Sequence, residues 1–119
     1  MRFLVTVAAC LVVAAAHAGE ADIVAAEARQ SADGTWSFDV TVAHADEGWD
    51  HYADAFDVLS MDGETLGQRI LAHPHVNEQP FTRSLRGVVI DEQITQVKIV
   101  ARDSVHAYGG AEMIVDLPR

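Results

Sequence analysis

The alternation of Trp36, Phe38, Val40 and Val42 with Ser37, Asp39 and Thr41 constrains the fold most, because a period of two places one set of side chains on one face of a β-strand. A helix would scatter the same four apolar residues around its circumference. The period recurs at Val97, Ile99 and Ala101, and again at Met113, Val115 and Leu117. Turn residues punctuate the chain between such runs. Ser31-Ala32-Asp33-Gly34 and Met61-Asp62-Gly63-Glu64 read as hairpin turns, and Gly109-Gly110 breaks the chain before its last strand. Pro74 and Pro80 bracket a loop, since proline donates nothing to a sheet ladder. The alanines of residues 21–30 would also suit a helix, but the turn that follows decides for a strand. Strands are thus expected near residues 21–30, 36–42, 51–60, 65–73, 82–88, 97–102 and 113–117. Seven short strands with no repeat or linker predict one all-β domain over residues 19–119, a seven-stranded immunoglobulin-like or fibronectin-like antiparallel sandwich.

Residues 1–18 carry a different signal. Met1-Arg2 followed by the apolar run from Phe3 to Ala16 has the make-up of a secretory signal peptide. Ala16 and Ala18 are the small residues that favour cleavage before Gly19, while Ala14-Ala15-Ala16 would allow a cut that leaves His17 first. Val7-Ala8-Ala9-Cys10 loosely resembles a lipobox, but the apolar stretch before it falls short of the usual ~7–15 residues. The expectation is an exported protein, periplasmic or secreted, with no membrane span. Its net charge of −10, which becomes more negative once Arg2 is lost, argues against nucleic acid and anionic membrane surfaces as partners. Cys10 is the single cysteine, so the exported domain must rely on its core.

The six histidines are His17, His44, His51, His73, His75 and His106. Successive strands of a sandwich reverse direction, so chain reversals alternate between its two ends. The N-terminus and the connections after the second, fourth and sixth strands fall together, and those segments hold every histidine. The opposite end has Asp33-Gly34, Asp62-Gly63 and Asp91-Glu92 and no histidine. Imidazole is the commonest protein ligand for late first-row metals. His73 and His75 share a face in an extended stretch stiffened by Pro74, so both can reach one ion. With no thiolate available, the set suits Cu(II), Zn(II) or Ni(II); copper comes first because it tops the divalent affinity order, and zinc follows. The expected ligands are His73, His75 and His106, assisted by His44 or His51, and by His17 if it begins the mature chain. Asp103, two residues beyond Ala101 in core parity, is placed to orient an imidazole.

Enzyme signatures are missing. There is no Gly-x-Ser-x-Gly elbow, His-Glu-x-x-His helix or phosphate-binding glycine loop, and the acidic residues Asp46, Glu47, Asp50 and Asp54 do not follow the spacing of a calcium loop. A non-catalytic role is therefore expected.

Four segments, Trp49 to Asp54, His73 to Val76, Glu78 to Ser84 and Ala101 to His106, resemble those of a family of small exported bacterial proteins without an assigned activity. The resemblance implies a β-sandwich outside the cytoplasm and no particular reaction. In architecture alone, the design is similar to periplasmic copper-resistance proteins of the histidine-brace type, from which it departs if the mature chain begins at Gly19. The function expected is carriage or buffering of a divalent metal. The rival expectation is an envelope protein-interaction module, with Trp49, Phe81 and Tyr108 as an aromatic patch and the histidines incidental.

Overall fold

The computed structural model describes residues 19–119; the expected signal peptide, its cleavage sites, Cys10 and His17 lie outside the described residues. The strands are β1 (Asp22–Gln30), β2 (Trp36–Ala43), β3 (Ala53–Ser60), β4 (Thr65–Ile70), β5 (Phe81–Val88), β6 (Gln96–Asp103), β7 (Ala107–Tyr108) and β8 (Met113–Asp116). They form two antiparallel sheets. One has the order β1-β2-β5; the other runs β4-β3-β6, with β7 and β8 both pairing β6. The hairpins β1-β2 and β3-β4 each stay within a sheet, whereas the chain crosses between sheets after β2, β4 and β5. This is the expected all-β, immunoglobulin-like sandwich.

Eight strands replace the expected seven because the last strand is split. Arg102 pairs with Tyr108 and Asp103 with Ala107, but Ile99 pairs with Met113, so the residues between Tyr108 and Met113 leave the ladder. There the chain turns to β1, with the Ile23 N–H donating to the Ala111 carbonyl at 2.9 Å and the Ala111 N–H to Asp22 Oδ1 at 2.7 Å. Two boundaries also move. β3 begins at Ala53 rather than near His51, and β4 ends at Ile70 rather than His73, which leaves all five described histidines in loops or just beyond strands.

Trp36, Phe38, Val40 and Val42 are all fully buried, and they meet Phe56, Val58, Val97, Ile99 and Val115 from the opposite sheet. Burying each such side chain contributes about 1.5–3 kcal/mol, so this row stabilises the sandwich most. β1 hides its pattern from a sequence reading, since a register shift between Ile23 and Ala25 lets Ile23 and Ala26 both face inward. No helix long and apolar enough to cross a membrane occurs among the described residues.

Candidate metal centre

Period two carries polar residues into the core at one end. The inward row Val40, Val42 of β2 continues to His44, 5 % exposed, and the inward row Ile99, Ala101 of β6 continues to Asp103, 0 % exposed. The two residues therefore meet between the sheets as a polar plug on an apolar core. Pairings of Asp22 with Ala43 and of Ala53 with Asp103 bring the start of β1 and the start of β3 to the same end.

His44, His51 and Asp103 converge there. His44 Nε2 lies 3.3 Å from His51 Nε2 and 3.3 Å from Asp103 Oδ2, and His51 Nε2 is 3.6 Å from that same oxygen. The Gly19 carbonyl oxygen closes the group at 3.0 Å from each Nε2 atom. Their outward atoms are held by neighbours. Asp46 Oδ1 stands 2.5 Å from His44 Nδ1 and Glu47 Oε1 3.3 Å from His51 Nδ1. In the tautomer that carries its proton on Nδ1, each ring donates to its carboxylate and turns the Nε2 lone pair inward, the arrangement that orients metal-binding imidazoles. Asp46 is itself fixed by the Ala53 N–H at Oδ1 and the His75 N–H at Oδ2.

Asp103 is equally constrained. Its Oδ1 accepts the N–H groups of Val105 and His106, and its Oδ2 lies 3.1 Å from His106 Nδ1. Burial alone would raise its pKa, but these main-chain donors and the His106 ring outweigh burial and hold the carboxyl below the usual range. At His51 burial opposes charge, yet the Glu47 carboxylate, the Gly19 carbonyl and Asp103 prevail and hold the ring above its ordinary value. The pocket thus favours positive charge at its centre.

Sequence reasoning placed all six histidines at this end, and five of them, all but His17, lie among the described residues. The structure gathers His44 and His51 with Asp103 and sets His106 at the edge, its ring 5.0 Å from that of His51. His73 and His75 form a separate pair with ring centroids 4.9 Å apart. His75 is buried and stacks on Phe81 at 4.0 Å, with both ring nitrogens unpartnered, and burial, then Arg83 and His73, hold its pKa below the ordinary value. Asp103, expected beside an imidazole, faces three. The Gly19 carbonyl has no side chain to announce it and was legible only from the folded backbone. The expected aromatic patch is corrected: Phe81 is 1 % exposed and belongs to the core, leaving Trp49, which meets Tyr52 edge-on, and Tyr108, which donates to Asp57.

No family model and no solved structure matches the chain. It is 38 % identical over 97 residues, 82 % of its length, to a protein of Halomicrobium mukohataei named "Putative lipoprotein". The chain spans about half the length of that relative. The similarity extends to an archaeon, beyond the bacterial range of the resemblance, and lends the copper-resistance likeness no support.

Proposed function

We propose that the protein binds a divalent first-row metal ion through His44, His51 and Asp103 and serves in its carriage or buffering in the cell envelope. One observation carries this reading. With their Nδ1 atoms committed to carboxylates, the two imidazoles direct Nε2 lone pairs at each other and at a buried carboxylate, across 3.3–3.6 Å. A proton on one ring satisfies only some of these contacts, whereas a cation at the centre satisfies them all. A tetrahedral ion with bonds of ~2.0–2.1 Å sets its donors about 3.3–3.4 Å apart, which this spacing approaches. Copper comes first by affinity order, but the near-tetrahedral, mixed nitrogen–oxygen set suits zinc better. His106 acts on this reading by holding Asp103 rather than as a primary ligand, and His73 and His75 stand aside. A role outside the cytoplasm draws support from the apolar leader and from the relative's name.

Titration with zinc and with copper, monitored by native mass spectrometry, tests the proposal. One ion per chain is expected, with His44→Ala and His51→Ala each costing more than the roughly 10–100-fold that loss of an outer-shell partner costs. Unchanged binding in both variants, or loss only in a His73→Ala/His75→Ala variant, would overturn it. The interaction-module reading rests on Trp49, 67 % exposed beside the site; it predicts partner capture that survives chelation and fails in Trp49→Ala.

A further inference from the structure

We propose that the main-chain carbonyl of Gly19 is the fourth donor of this site, so that the ion fastens the segment leading into β1 across the end of the sandwich. The inference rests on the metal reading above and adds a ligand and a consequence to it. The carbonyl oxygen is 3.0 Å from both Nε2 atoms. Neutral imidazoles whose Nδ1 protons point to Asp46 and Glu47 have no N–H left to give it, so two lone pairs face a third. A single proton on one ring would satisfy one of these contacts, whereas an ion at the centre satisfies both and the Asp103 contacts with them.

Two features suit glycine to this position. Gly19 has φ of +92°, a conformation that side-chain-bearing residues rarely adopt. A Cβ at this position would stand 3.0 Å from His106 Cε1, so the ring that braces Asp103 also occupies the space a side chain would need. Three donors thus come from loops and strand ends of the two sheets, and the fourth from the chain just before β1. Loading the site then ties that segment down; emptying it removes the positive charge that holds carbonyl and imidazoles together. The state of the ion becomes readable at the start of the domain, where any leader or anchor would join it.

The test uses the exported chain labelled with carbonyl-¹³C glycine and ¹⁵N glutamate. Gly-Glu occurs twice, at Gly19-Glu20 and Gly63-Glu64, so the spectrum holds one reporter at the site and one control at the other end of the sandwich. The first equivalent of zinc should shift the Gly19 carbonyl and leave Gly63 in place, and the shift should vanish in His51→Ala. Gly19→Ala should bind zinc at least tenfold more weakly, while Gly34→Ala, which carries the same backbone strain in open space at the far end, should not. Stoichiometric zinc with an unmoved Gly19 carbonyl and full affinity in Gly19→Ala would overturn the Gly19 ligand alone. Absence of zinc binding from the unaltered chain would overturn the metal reading and this inference together.

Discussion

Asp46 holds His44 through one oxygen and the His75 main chain through the other, which makes it the residue on which most of the site's geometry depends. Asp46→Asn would free His44 to adopt the wrong tautomer. Metal affinity should fall about 10–100-fold, and calorimetry on the variant checks it. His75 supports a separate prediction. Its folded pKa is held below 6.5 by burial, by Arg83 and by His73, against weaker opposition from Asp46 and Glu78. Above pH 6.5 the ring is neutral folded or unfolded and contributes no pH dependence. As pH falls below that value, the unfolded chain takes up the proton first, so stability should decline until the folded pKa is passed. Denaturant melts from pH 7.5 to 4.5 should show this loss, and His75→Phe should flatten its share. Asp103 shows what single residues disclosed: parity from Ala101 placed it inward, and the structure extends its reach to three histidines. Gly19 could not be found this way, since a backbone oxygen carries no residue-type signal.

At the scale of elements, regular alternation was readable and irregular pairing was not. β2 and β6 stood out because each keeps one face in the core throughout. Register shifts in β1 and β3, at Ile23/Ala25 and Ala53/Ala55, change the parity partway, so their inward residues cannot be counted from one end. The split of the last strand likewise depends on a contact distant in sequence. Gly110 lies so close to β1 that a Cβ there would overlap the Ala21 carbonyl. Gly110→Ala must therefore displace β1 or the β7-β8 connection, and a loss of at least about 1–3 kcal/mol is expected in chemical denaturation. Because Ala21 is two residues from Gly19, the same variant should also weaken metal binding.

The whole molecule joins its sheets mainly through apolar packing, and the candidate site spans the seam: His44 extends β2 of one sheet and Asp103 ends β6 of the other. An ion held by both would stabilise the folded state by mass action, about 2.7 kcal/mol at a hundredfold excess over Kd. For a domain of this size that corresponds to a rise in Tm of roughly 10–20 °C, which scanning calorimetry with and without chelator would reveal. Immunoglobulin domains commonly link these same two strands with a disulfide, and the described residues contain no cysteine. A covalent bond closing a loop of some 60 residues contributes about 4 kcal/mol by restricting the unfolded chain. On the proposed metal reading, the histidine–aspartate seam would put an exchangeable cross-link in that place, independent of thiol redox state and released by whatever competes for the ion.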